Sequence, residues 1–171
     1  MIHLKSLGLT LAFLSLISSN AFTDEPAPPK FYDLSHKQTA PPPPKTAQVK
    51  DIVAINILKI ENEDSIRLLG IEPSKKVEVR RKAIEYLLSE IKGKTIQLEY
   101  DKRLRDNVGR LMAYAFLVDK NGTPAEDPLQ EELLWRGYAY ASAKYPCKRL
   151  KRFKRYEKAA KKEKHGLWEG N

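Results

Sequence analysis

The spacing of apolar residues changes along the chain, and each change marks an element. Val49, Ile52, Val53, Ile55, Ile57 and Ile60 crowd one stretch with β-branched side chains, which predicts one or two strands. After the polar turn Glu61-Asn62-Glu63-Asp64, Ser65 to Ile71 reads as a further short strand. Lys75 to Ile91 has a helical period, with Ala83, Ile84, Leu87, Leu88 and Ile91 on one stripe and Gly93 just past its end. Thr95 to Tyr100 alternates as a strand does, and Arg110 to Val118 is the next strand, closed by Asn121-Gly122. Pro128 to Arg136 predicts a short helix with Leu129, Leu133 and Leu134 inward. Tyr138 to Ala143 suits a last short strand or bend, and Leu150 to Lys164 a long basic helix. Short strands with one helix between the third and fourth predict a small Greek-key barrel rather than a parallel sheet.

The first 48 residues break this pattern. Met1 to Lys5 carries one basic residue, Ser6 to Ser18 is uncharged and mostly apolar, and Ser19-Asn20-Ala21 is a small-x-small ending. That is the layout of a signal peptide over residues 1–21, and it predicts export to a periplasmic or extracellular space. The apolar run falls short of the ~20 residues of a spanning helix, so the mature protein is expected to have no transmembrane segment. Residues 22–48 hold seven of the eleven prolines, including Pro41 to Pro44, and predict an extended, disordered linker. The folded domain is then residues 49–171.

Charge narrows the partners. The chain of 171 residues carries a formal net charge of +9. Between Lys144 and His165 stand eleven Lys or Arg and two Glu, while the rest of the chain carries twenty of each sign. The whole excess therefore falls on the segment that carries the last helix, where Leu150, Phe153, Ala160 and Leu167 form an apolar stripe that leaves Lys151, Lys154 and Lys158 to water. Such a helix points to nucleic acid or another polyanion, with an anionic membrane surface as a second partner class. It also fits a plain solvated face. One cysteine, Cys147, excludes an intramolecular disulfide and a Cys-based zinc site, and its neighbours Lys148 and Arg149 would favour its thiolate.

Five blocks then occur in a telling order. They are Ser65-Ile66-Arg67-Leu68-Leu69-Gly70-Ile71-Glu72-Pro73, Gly93-Lys94-Thr95-Ile96-Gln97-Leu98, Asp106-Asn107-Val108-Gly109-Arg110-Leu111-Met112-Ala113-Tyr114, Leu133-Leu134-Trp135-Arg136-Gly137-Tyr138-Ala139, and Glu157-Lys158-Ala159-Ala160 with Gly166-Leu167-Trp168. Together they resemble the staphylococcal nuclease (thermonuclease-like) family across about Val49 to Trp168. The resemblance implies a five-stranded OB-fold barrel with helices packed on it, an α+β fold, and calcium-dependent hydrolysis of DNA and RNA. Two arginines would clamp the phosphate, carboxylates would hold Ca²⁺, and a glutamate would help activate water. By the same resemblance the arginines are Arg67 and Arg110, Asp106 stands ahead of the second, and Tyr145 is a substrate-side tyrosine.

The sequence departs from the family at the metal and the base. The Asp-Gly-Asp-Thr loop is replaced by Asp51-Ile52-Val53-Ala54-Ile55-Asn56-Ile57, where at best Asn56 stands for one carboxylate. Glu72 stands for the aspartate after the first arginine, the catalytic glutamate becomes Ser74 or Lys75, and the tyrosine two before the second arginine is Val108. Arg67, Glu72 and Arg110 are thus the candidate catalytic residues, Glu72 and Asn56 a weak metal set, and Asp106, Tyr145, Lys151, Lys154 and Lys158 the substrate-binding candidates. The arginines also have a structural use, Arg67 as a partner of Glu72 or Asp106, and Arg110 of Asp106. A hard cation wants several charged oxygens, so no cofactor, or weakly bound Ca²⁺, is expected. The leading reading is a monomeric, exported, nuclease-like domain that binds a phosphate polyanion with little or no hydrolysis. The alternatives are a divergent calcium-dependent phosphodiesterase and an envelope scaffold for protein contacts.

Overall fold

The computed structural model describes residues 42–61 and 64–170. The predicted signal peptide, the linker up to residue 41 and the middle of the Glu61–Asp64 turn lie outside them. Seven strands and three helices follow in the order β1 (Thr46–Ala54), β2 (Ile57–Ile60), β3 (Ser65–Leu68), β4 (Ile71–Pro73), α1 (Val77–Glu90), β5 (Thr95–Arg105), β6 (Leu111–Leu117), α2 (Leu129–Trp135), β7 (Ala139–Ala141) and α3 (Leu150–Lys162), with a 3-10 turn at Gly166–Trp168. Five strands close into a barrel in the order β1-β2-β3-β6-β5, and β4 pairs with β7 outside it. All barrel pairs are antiparallel except β3 with β6. This is the expected five-stranded OB-type barrel with its helices. No helix among the described residues is long and apolar enough to cross a membrane.

β1 starts within the predicted linker, because Thr46, Ala47 and Gln48 pair with Gln97, Ile96 and Thr95 of β5. Two register shifts in β1, at Val49/Asp51 and Ile52/Ala54, bend the strand around the barrel. The predicted strand from Ser65 to Ile71 is two strands, broken at Gly70, whose φ is +82°. A Cβ there would lie 2.6 Å from Cys147 Sγ and 2.7 Å from the Phe153 ring, so both the conformation and the space require glycine. β5 runs five residues past its predicted end at Tyr100. On α1, Val79, Ala83 and Leu87 are buried with Ile91 beyond its end, whereas Leu88 faces water. Leu88 lies one position off the buried stripe, at the edge of the apolar face.

The interior is filled from both sides. Val49, Leu58, Ile66, Ile96 and Leu111 lie in one core with Leu87, Ile91, Leu133 and Phe153 from the helices. β6 is buried at every position up to Phe116, since one face fills the barrel and α2 packs against the strand. Two buried polar side chains on α2 break the expected apolar face. Gln130 accepts from the Ala115 amide and donates to the carbonyls of Ala113 and Leu69, joining α2 to backbone groups of β6 and the β3–β4 turn. Glu131 lies 2.7 Å from Arg152 Nε of α3.

Candidate nucleic-acid site

The parallel pairing of β3 with β6 builds the site. It sets Arg67 opposite Met112, and so brings it beside the β5–β6 turn that carries Asp106 and Arg110. Asp106 organises that turn: its Oδ1 accepts from the amides of Val108 and Arg110, each at 3.0 Å. Its Oδ2 takes Arg67 Nε at 3.1 Å and Arg110 Nε at 2.8 Å. The carboxylate has no exposed surface (0 %) and the Arg67 side chain is 11 % exposed, while Arg110 is 32 % exposed. Burial pushes the Asp106 carboxyl up, but Arg110, Arg67 and the two amides outweigh it and hold its pKa at about 2. Both structural uses of the arginines are therefore realised. Each guanidinium still has an Nη outside these bonds (Nη2 of Arg67, Nη1 of Arg110) with which to meet a phosphate oxygen.

Glu72 enters from β4, where pairing with Tyr140 of β7 fixes it. Arg67 Nη1 donates to its Oε1 at 3.1 Å, and Lys144 Nζ lies 3.9 Å from the same oxygen. Asn56, at the tip of the β1–β2 hairpin, donates through Nδ2 to Glu72 Oε2 and to the Ile71 carbonyl, each at 3.4 Å. Both neighbours only accept, so the amide must present its NH₂ group to them and not its oxygen. Tyr145 is buried at 8 % exposure with three cations over its ring: Arg103 at 5.1 Å, Arg67 at 5.7 Å and Lys144 at 5.9 Å. It reaches the site as a platform that orders cations.

Asn56, Arg67, Glu72, Asp106, Arg110 and Tyr145 thus lie in one cluster. Lys151, Lys154 and Lys158 do not join them; they are exposed on the outer face of α3, and no ion pair ties them to the cluster. Two site residues escaped the sequence reading. Lys144 opens the basic segment and precedes Tyr145 but is not among the sequence candidates, and Arg103 lies in the part of β5 that the alternation did not predict. With them the site holds four cations against two carboxylates, an excess that suits an anion.

The donor set does not fit Ca²⁺. Glu72 is the one carboxylate where the resemblance would put a metal, and Arg67, Lys144 and Asn56 already face its two oxygens. Asp51 points elsewhere and pairs with Lys92 at 3.0 Å. Ser74 is buried with its Oγ accepting from the Lys76 amide, and Lys75 brings a positive charge. Among the described residues no three His, Cys, Asp or Glu side chains meet as a metal site would need.

Two sequence expectations need correction. Cys147 is not activated: burial pushes its thiol pKa up and outweighs the Tyr114 and Arg149 hydrogen bonds. The basic segment is also partly neutralised. Lys148 and Arg149 pair with Glu99, and Arg152 with Asp127 and Glu131, so its excess charge is smaller than composition implies.

The chain is 26 % identical to a thermonuclease of Staphylococcus hyicus over 172 aligned positions, covering 94 % of this chain and 95 % of that one. Residues 65–170 match the profile of the staphylococcal nuclease homologues, a span that includes both arginines, Asp106, Glu72 and α3. The barrel, the parallel pairing that joins Arg67 to Arg110 and the matched span lead to one conclusion: the chain belongs to the staphylococcal nuclease family.

Proposed function

We propose that this nuclease-family domain binds the phosphate backbone of nucleic acid, or another phosphate polyanion, with little or no hydrolysis. One observation carries the reading: Asn56 turns its amide N–H toward Glu72, in the place where a second metal-binding carboxylate would stand. The arginines stay fixed on Asp106, with Lys144 and Arg103 adding charge. Arginine forks held in place bind a phosphate well, because little order is lost on contact. Cleavage needs a base for the attacking water, and Ser74 and Lys75 supply no carboxylate. The three-part layout of residues 1–21 supports action outside the cytoplasm.

Family membership and the thermonuclease likeness support a second reading, a phosphodiesterase that draws its missing groups from elsewhere. One experiment separates them. The mature protein is incubated with DNA and with RNA, in Ca²⁺ and in chelator. Retention of intact nucleic acid, equal in both, is the expected result. Calcium-dependent degradation that Arg110→Ala abolishes would establish the hydrolase instead.

A further inference from the structure

A second aromatic and basic feature lies outside the arginine cluster. Trp135, the last residue of α2, is 36 % exposed. His165 holds its ring edge-on, with centroids 4.7 Å apart at 87°, and His165 Nδ1 lies 2.9 Å from the Trp135 carbonyl oxygen. The indole is therefore placed before any ligand arrives. Beside it opens a cavity of about 390 Å³ lined by Trp135, Arg152, Arg155, Tyr156 and Ala159. Arg152 is already engaged by Glu131 and Asp127, and it approaches the Tyr156 hydroxyl at 3.5 Å. Arg155 has no such partner among the described residues. Lys151, Lys158 and Lys162 share its exposed face of α3 at helical spacing, also without an ion pair.

We infer that this α2–α3 cavity is a stacking subsite for single-stranded nucleic acid, with one unpaired base on Trp135 and the flanking phosphates on Arg155 and the lysine row. The inference rests on the proposed nucleic-acid reading and adds a strand preference to it. The chemistry favours that ligand. An open aromatic face beside a guanidinium and a row of lysines matches a strand whose bases are free to stack, whatever their identity. A duplex keeps its bases stacked inside and offers this site only phosphates. An acidic peptide would satisfy the cations but leave the indole without a planar partner.

The test uses the whole chain carrying Trp168→Phe, so that Trp135 is the sole fluorophore of its kind. A short oligothymidylate should quench its fluorescence, while a duplex of equal length should bind with little quenching. Trp135→Ala should weaken oligothymidylate binding by about tenfold or more, and should leave duplex binding nearly unchanged. Trp135→Phe, which keeps an aromatic face, should retain most of the affinity and guards against a folding artefact. Arg155→Glu should weaken both forms and lower the salt slope by about one. Equal oligothymidylate binding by wild type and Trp135→Ala overturns the inference, as does equal quenching by polyglutamate. If duplex still binds and Arg110→Ala abolishes that binding, the proposed function stands and only the subsite falls. If neither nucleic acid binds, the subsite and the nucleic-acid reading both fall, and binding of inorganic polyphosphate decides the remaining polyanion reading.

Discussion

Replacing Asp106 by Asn should damage the protein more than any single change at its surface. Asn keeps an oxygen for the Val108 and Arg110 amides, so the β5–β6 turn retains those two bonds. It puts an NH₂ group where Oδ2 now receives Arg67 at 3.1 Å and Arg110 at 2.8 Å. Donors then face donors, and the largely buried Arg67 keeps only Glu72 as a counter-charge. Removing one member of a buried pair costs about 3–5 kcal/mol. For a domain of this size that lowers the melting temperature by about 10–20 °C.

The pH dependence provides an independent check. The folded pKa of Asp106, about 2, lies below its ordinary value. The stabilisation is therefore complete above about pH 4 and is lost as pH falls through about 2, a total of about 2 kcal/mol. Protonation costs less than the Asn substitution, because a neutral carboxyl can still accept from one arginine. Calorimetric melts of both proteins from neutral pH to about pH 2 test this, and the Asn variant should show a curve flatter by one proton over the last two units. A melting shift under about 3 °C, or parallel curves at low pH, would refute the argument that this carboxylate anchors the clamp.

Three further outcomes follow from other contacts. Asn56→Asp places a second carboxylate against Glu72, and should cost about 1–3 kcal/mol at neutral pH; acid or added Ca²⁺ should recover part of it, and melts with and without the cation would show this. Gly70→Ala forces a Cβ into Cys147 and Phe153 at positive φ, and should cost about 2–4 kcal/mol in urea unfolding, with part restored by Cys147→Ala. Charge reversal at Lys151, Lys154, Lys158 and Lys162 should leave the circular dichroism unchanged. It should flatten a duplex salt slope of roughly −4 to −5, and an unchanged slope would put all the affinity on the arginine cluster.

What the sequence determined was local. Period and turn residues placed all three helices and the barrel strands, with β1 and β2 read as one strand or two, because a face that must be buried repeats along the chain at its element's own spacing. The ordered blocks then gave the family and the barrel type, and singled out Arg67, Arg110 and the altered metal loop as the places to test. What the tertiary structure decided was who bonds to whom. Arg67 and Asp106 are 39 positions apart, and only the parallel contact of β3 with β6 makes Asp106 a shared anchor and not merely a turn residue. Asn56 becomes a lock on Glu72 because the β1–β2 tip folds back on β4, which no hydrophobic pattern encodes. Gln130 and Glu131 interrupt the apolar face that Leu129, Leu133 and Leu134 predict, and they are buried because backbone carbonyls and Arg152 await them. The net charge of the basic segment overstates its free charge for the same reason. Composition counts charges, whereas pairing with Glu99, Asp127 and Glu131 depends on where the barrel and α2 present their acids. Hydrophobic burial follows a rule each short segment carries within itself, while an ion pair needs two segments whose meeting is set by the whole fold.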